Sequence, residues 1–212
     1  MNPSKYLFFD IETEANKPVL ELMPEPQVPA NYKDPEKIAA YIAEKKLELA
    51  DKAALDPDYG RIVAISYQYG WDSSVKNSWL VRDSDTEVKA LKDFWNVFKF
   101  AANGYSCGYN IIGFDLPYLL RRSMDLGVKV PMVPFMAKYR TEPTLDLMGV
   151  LYGWGQAKSL KFVCKRYGIP NELPELEGSQ VANMDYKTLV AYCENDVRLV
   201  MALYDKMDGV YF

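Results

Sequence analysis

Apolar residues follow two spacings along this chain, and the places where the spacing changes mark its elements. Tyr6-Leu7-Phe8-Phe9-Asp10-Ile11-Glu12-Thr13 is a short apolar run ending in two carboxylates one residue apart, as in a buried strand of a mixed sheet. Side chains alternate along a strand, so Asp10 and Glu12 project to one face while Phe9 and Ile11 project to the other. Gly60 to Gly70 (GRIVAISYQYG) is rich in β-branched and aromatic residues and predicts a second strand. Val75 to Val81 predicts a third, reached through the turn residues Asp72, Ser73 and Ser74. Tyr105 to Tyr109 predicts a fourth, and Thr144 to Met148, carrying Asp146, a fifth.

Between these runs the spacing becomes helical. Asp34-Pro35-Glu36 is a helix start, with Asp as N-cap and Pro at the first helical position. Ile38, Tyr41, Ile42, Leu49 and Ala53 then form an apolar stripe that stops at Asp56-Pro57. Lys37, Lys45, Lys46 and Lys52 lie mostly off that stripe; they either keep the helix soluble or hold a polyanion. The segment before it, Glu14 to Asp34, carries Pro18, Pro24, Pro26 and Pro29 and predicts an irregular connection. Further helices are predicted over Asp83 to Ala101 (Leu91, Phe94, Trp95 and Phe98 on one face), about Leu116 to Met124, Ser159 to Tyr167, and Asp185 to about Met207. Three early strands, then strand and helix in alternation, imply an α/β domain: a mixed five-stranded sheet with helices on both faces. Residues 1–212 form one domain on this reading, with a helical insertion over about residues 14–59 between the first two strands.

Composition narrows the chemistry. With 212 residues, 49% hydrophobic and 14% aromatic, the chain can bury a sizeable core. The net charge of −4 provides no global basic field, so a polyanionic substrate needs a few local cations or metal ions. Three scattered cysteines, Cys107, Cys164 and Cys193, suit a reducing compartment, and no run is long enough for a membrane span or a signal-peptide core. A cytoplasmic location is expected. The chain has no histidine, which removes His-dependent triads, imidazole acid–base pairs and His-built zinc sites.

The remaining candidates are carboxylates. Asp10 and Glu12 are either solvated acids at a strand end or a pair that needs a divalent cation to offset their repulsion. Asp115 follows a Gly-containing turn at a helix start, where an acid also serves simply as a first-turn residue favoured by the helix dipole. Tyr192 and Asp196 are four apart on the last helix and share a face, either as a half-buried Tyr beside a solvated Asp or as part of a site. Leu189, Val197, Leu199, Val200 and Leu203 indicate that this helix packs on the sheet.

Taken together, Asp10-Ile11-Glu12-Thr13, Asn110-x-x-x-Phe114-Asp115 and Tyr192-x-x-x-Asp196 resemble the three motifs of DEDD-type 3′→5′ exonucleases. Their order and spacing are similar to those of DNA polymerase proofreading domains. The stretch GYNIIGFDLPYLLRR most resembles that of family B polymerases, and Tyr192 marks the tyrosine subtype. The resemblance covers most of the chain outside the insertion. It implies a ribonuclease H-like fold and a metal-dependent release of nucleoside monophosphates from single-stranded DNA 3′ ends. It also implies two Mg²⁺ or Mn²⁺ ions. Asp10, Glu12 and Asp196 would hold the ion that carries the attacking water, and Asp10 and Asp115 the ion at the scissile phosphate, with Tyr192 orienting the water. Thr13 matches the residue that touches the terminal nucleotide, and Asn110 and Phe114 match residues lining the strand's path, although Phe114 also suits the core. Asp146 and Glu194 lie outside the motifs and are expected to be structural or solvated. The competing readings are an exoribonuclease of the same mechanism, a non-catalytic nucleic-acid-binding module, and a phosphotransferase with Asp10 as nucleophile. That last pattern wants Asp and Thr where this chain has Glu12 and Glu14. No polymerase region follows Phe212, so a free-standing enzyme or one beside a replication or repair protein is expected, with no membrane partner.

Overall fold

The structure, a computed structural model, describes residues 2–71, 77–153 and 155–212. It resolves into two compact units, one made of Met1–Glu12 with Ile62–Phe212 and the other of Thr13–Arg61. Five strands form the sheet among the described residues: β1 (Leu7–Ala15), β2 (Gly60–Tyr69), β3 (Asn77–Leu80), β4 (Ser106–Gly108) and β5 (Thr144–Asp146), in the order β3-β2-β1-β4-β5. β1 pairs in parallel with β4 through Leu7↔Ser106 and Phe8↔Cys107, and β4 in parallel with β5. β2 and β3 are antiparallel, with Ile65 opposite Trp79. The sheet is therefore mixed, as the sequence predicts. The expected third strand is seen from Asn77 onward; its predicted start at Val75 and the turn before it lie outside the described residues.

Helices cover both faces, and the alternation along β1 decides which. Leu7, Phe9 and Ile11 enter one core with Leu91, Phe94 and Trp95 of α2 (Ser84–Asn96) and Leu116, Tyr118 and Leu119 of α3 (Asp115–Asp125). Tyr6 and Phe8 enter the other, with Leu145, Val163 and residues Val197, Val200, Leu203 and Tyr204 of the C-terminal helix, Tyr186–Met207. By the same alternation Asp10 and Glu12 emerge on the face of that C-terminal helix.

Three boundaries differ from expectation for local reasons. The helix predicted over Asp83 to Ala101 ends in a π-helical turn, Val97–Ala101. The fifth strand stops at Asp146, because that side chain accepts the amides of Met148 and Gly149 and so starts a helix, Leu147–Tyr152, that periodicity does not reveal. In the second unit, the connection read as irregular contains a 3₁₀ helix, Lys17–Leu22, with Pro18 in its first turn. That unit's long helix, α1 (Pro35–Lys52), is capped by Asp34 as predicted. Its Lys45 pairs with Glu48 at 2.6 Å and Lys46 with Glu25 at 2.8 Å, so these two cations are neutralised within the unit. No helix among the described residues is long and apolar enough to cross a membrane.

One buried ion pair ties the α2–α3 face together. Glu87, 1% exposed, accepts Nε of Arg122 at 2.8 Å and Nη2 at 3.0 Å, and its Oε1 also accepts the Ile62 amide at 3.1 Å. Both carboxylate oxygens have donors, and removing the carboxylate leaves the buried Arg122 with Asp125, on Nη1 at 2.7 Å, as its acid partner. Glu87→Ala should cost about 3–5 kcal/mol of unfolding free energy, read from denaturant melts against the parent chain. A loss below about 1 kcal/mol would show that water reaches Arg122 and that the pair is peripheral.

Candidate active site

The first two acids come from β1. Asp10 is half-buried and Glu12 buried, and they share the strand face that meets the C-terminal helix. That helix, now α6 (Tyr186–Met207), follows α4 (Leu147–Tyr152) and α5 (Leu160–Arg166). Cys193 on α6 donates its S–H toward the Asp10 carbonyl at 3.4 Å and toward Asp10 Oδ2 at 3.8 Å, pinning helix to strand. One ligand atom each from Asp10, Glu12 and Cys193 lies within 4.8 Å of the others.

Asp115 arrives by a tight turn. Gly108 ends β4, and a Cβ there would meet Ile111 Cγ2 at 2.2 Å; a Cβ at Gly113 would meet Asn110 Oδ1 at 2.4 Å. A side chain at either position would have to displace the Ile111 or Asn110 side chain. Between them Asn110 adopts φ 65°, a left-handed conformation that Asn tolerates. The turn is held from outside by Asp146: Oδ1 accepts the Asn110 amide at 3.0 Å and Oδ2 the Ile112 amide at 3.0 Å. Asp115 then opens α3, and its Oδ1 accepts the Ile11 amide of β1 at 3.2 Å. This bond ties the third acid to the strand that carries the first two, and its charge raises both of them.

α6 supplies the rest. Tyr192 is buried and Asp196 half-buried, and the Tyr192 hydroxyl favours the charged form of the Asp196 carboxyl. Asn195 Nδ2 donates to Asn171 at 2.9 Å and to Asp196 Oδ1 at 3.4 Å. Lys161 of α5 stands over the Tyr192 ring at 4.6 Å, donates to the Leu176 carbonyl and lies 3.9 Å from Glu177. Neither Lys161 nor Asp146 was among the expected site residues. Lys161 reaches the site only through the packing of α5 beside α6, which no local pattern reveals. Asp146 did carry a signal, an Asp at a strand end just before a helical segment.

The other expected residues lie as follows. Asn110 is half-buried in the turn. Phe114 is half-buried, its ring 5.3 Å from that of Tyr118 and packed on the α2–α3 core. Thr13 begins the second unit, where its hydroxyl donates to the Ala54 carbonyl at 2.7 Å. Glu194 takes the structural of its two expected roles: half-buried, it accepts the Ser78 hydroxyl at 2.6 Å and Arg198 Nη2 at 3.2 Å.

The electrostatics follow from crowding acids out of water. Burial first, then Glu12, Asp115 and Asp196, push Asp10 well above the usual carboxylate range. Burial and then Asp196 and Asp115 do the same to Glu12, with Lys161 opposing. Burial raises Asp115 to about 7 against the pull of backbone amides, and Asp196 to about 6 against Lys161, Asn195 and Tyr192. Burial and then Asp196, Glu12 and Asp10 hold the Tyr192 phenol well above its ordinary value, so it stays protonated. Converging carboxylate oxygens that raise one another's pKa fit hard divalent cations, which bind oxygen and offset the repulsion.

Residues 54–210 match the family described as predicted 3′-5′ exonucleases related to the exonuclease domain of PolB, and the chain belongs to that family. The matched span contains Asp115, Tyr192 and Asp196 and begins after Asp10 and Glu12. The family B DNA polymerase from the hyperthermophilic archaeon Pyrobaculum calidifontis is structurally similar over 95% of this chain, with a TM-score of 0.58 and 20% identity. The chain spans 24% of that polymerase's length. The mixed sheet with its helices is thus the ribonuclease H-like fold of the PolB exonuclease domain. No curated protein matches the chain.

The raised carboxylates set a direction for stability. An unfolded Asp loses its proton near pH 4, whereas folded Asp115 keeps it to about 7. Across that window the native state binds more protons than the unfolded state, so stability falls as pH rises. The chelator-treated protein should melt higher at about pH 6 than at about pH 8, and Asp10→Asn should flatten the difference. A parent melting temperature that rises over this range would mean that neither burial nor repulsion raises these acids.

Proposed function

We propose that this chain is a metal-dependent 3′→5′ exonuclease that releases nucleoside monophosphates from the 3′ ends of single-stranded DNA. The observation that carries the reading is the convergence of Asp10, Glu12, Asp115 and Asp196, each raised by burial and by its acidic neighbours, with a protonated Tyr192 against them. Membership of the PolB-related family supports it. Residues 1–212 would then form one exonuclease domain, with the Thr13–Arg61 unit as its insertion. The enzyme would work in the cytoplasm, alone or beside a replication or repair protein.

The four carboxylates would hold two Mg²⁺ or Mn²⁺ ions, which when bound lower the pKa of an attacking water and stabilise charge on the phosphate oxygens. The chain's own groups do the rest. Asp115, fixed to β1 by the Ile11 amide, and Asp10 beside it face the scissile phosphate. Tyr192, too basic to lose its proton near neutrality, orients the water as a hydrogen-bonding group and is not the base. The attacking water gives up a proton to solvent and its oxygen bonds to phosphorus as the bond to the leaving 3′ oxygen breaks, and that oxygen takes up a proton from solvent. Asn110 and Phe114 flank the path of the terminal nucleotides, with the exposed part of the Phe114 ring available for stacking. Thr13 is assigned to the terminal nucleotide.

Hydrolysis of 5′-labelled oligothymidylate should vanish in chelator and return with Mg²⁺ or Mn²⁺, but only weakly with Ca²⁺, whose looser coordination positions the water poorly. Asp10→Asn, Glu12→Gln, Asp115→Asn and Asp196→Asn should each lower the rate at saturating metal by about a thousandfold or more. Robust cleavage in excess chelator would end the metal mechanism.

Tyr192→Phe separates orientation from metal binding. It keeps the ring beneath Lys161 and removes only the hydroxyl, so single-turnover rates should drop by roughly ten- to a thousandfold, with Mn²⁺ half-saturation little changed. A full single-turnover rate would remove Tyr192 from the chemistry.

A further inference from the structure

Outside the acid cluster, α5 and its flanks carry cations with no acid of their own. Residues 156–170 contain Lys158, Lys161, Lys165 and Arg166 and no acid, in a chain whose net charge is −4. The helix buries Val163 and Cys164 on its inner side and leaves Phe162, Lys165 and Arg166 exposed. Its start is fixed: Ser159 caps it by accepting the Phe162 amide, and the exposed Lys158 before the cap has its carbonyl held by the Tyr109 hydroxyl.

The spacing puts these groups in rows. Lys161 and Lys165 are four apart, as are Phe162 and Arg166, so each pair lies one turn apart on the same side. Lys158 Nζ sits 5.9 Å from the centroid of the Phe162 ring, and Arg166 lies 6.0 Å from the exposed Tyr167 ring. Half of Phe162 is open to solvent, as a stacking platform requires and a core residue does not. Lys158, Lys165 and Arg166 have no ion-pair partner among the described residues. On α1, Lys45 and Lys46 differ in being paired with glutamates of their own unit.

One end of this row is already at the site. Lys161 stands over Tyr192, and its charge lowers the pKa of Glu12 and of Asp196. The exposed cations flank it, Lys158 just before the helix and Lys165 about 6 Å further along the helix axis at 1.5 Å per residue. We propose that the outer face of α5 is the track for the single DNA strand that trails from the 3′ end, with Lys158, Lys165 and Arg166 on its phosphates and Phe162 stacked against a base. The inference rests on the exonuclease reading for the position of the 3′ end. The binding surface itself is argued from charge complementarity and the interleaved aromatic ring.

The test is equilibrium binding of fluorescent oligothymidylate in chelator, where nothing is cleaved, over a range of salt. K158E/K165E/R166E should weaken binding at low salt by about tenfold or more, and flatten the salt slope by about 0.7 for each phosphate no longer neutralised. F162A should cost about fivefold or more through the absence of stacking. K158A/K165A/R166A gives the same reading with smaller size should charge reversal alter the melt. In parallel, the ratio of kcat/KM on a long oligothymidylate to that on a dinucleotide should fall about tenfold in the charge variants. Unchanged affinity and slope would overturn the track, as would equal competition by polyglutamate, which marks a general polyanion surface. If the parent cleaves neither substrate while these variants still lose binding, the exonuclease reading falls and the DNA-binding face stands.

Discussion

The constraint on which this structure turns is that four carboxylates must be brought out of water and against one another. Their mutual repulsion is unfavourable in the metal-free protein, and the rest of the first unit supplies the force that overcomes it. Two hydrophobic cores, one on each side of β1, clamp the strand that carries Asp10 and Glu12. Because the strand's side chains alternate, the aromatic residues that anchor it also fix the direction of its acids. Packing here sets the electrostatics.

Each further acid is held by its own bond to that strand or by a close neighbour. Asp115 is tied to β1 through the Ile11 amide, α6 is tied through Cys193 to Asp10, and Asp196 is steadied by Asn195 and Tyr192. Lys161 is the one cation among the described residues whose charge lowers both Glu12 and Asp196. It relieves the cluster only partly, since both acids remain above their ordinary range. The residual strain is what a pair of divalent ions would remove, and it gives the apo state and a loaded state different stabilities at neutral pH.

Much of this was legible in the sequence because the decisive residues sit in short, regular contexts. Alternation in Tyr6 to Thr13 gave the strand and the common side of its acids, and the four-residue step from Tyr192 to Asp196 gave a shared helix face. The glycine-bearing turn before Asp115 gave a helix start. What escaped was tertiary. Lys161 lies 31 positions before Tyr192 and meets it only because two helices pack side by side. The short helix after β5 escaped because Leu147 and Met148 extend the apolar run without a break, and only the side chain of Asp146 decides that the strand has ended. For Glu194 the local pattern leaves a structural and a solvated role open, and only the Ser78 hydroxyl from β3 decides for the structural one.

Asp146 is also a mechanical joint. One buried carboxylate accepts amides from Asn110 and Ile112 and from Met148 and Gly149, two segments that lie 36 or more residues apart in the chain. The turn cannot lift without uncapping the helix, and the helix cannot fray at that end without releasing the turn. The two segments therefore belong to one cooperative opening unit, and these four amides should exchange with deuterated solvent at a common opening free energy. Widely different protection among them would mean that the joint gives way one bond at a time. For a candidate site whose third acid hangs from that turn, the freedom of that acid to move is then limited by the rigidity of a strand end outside the acid cluster.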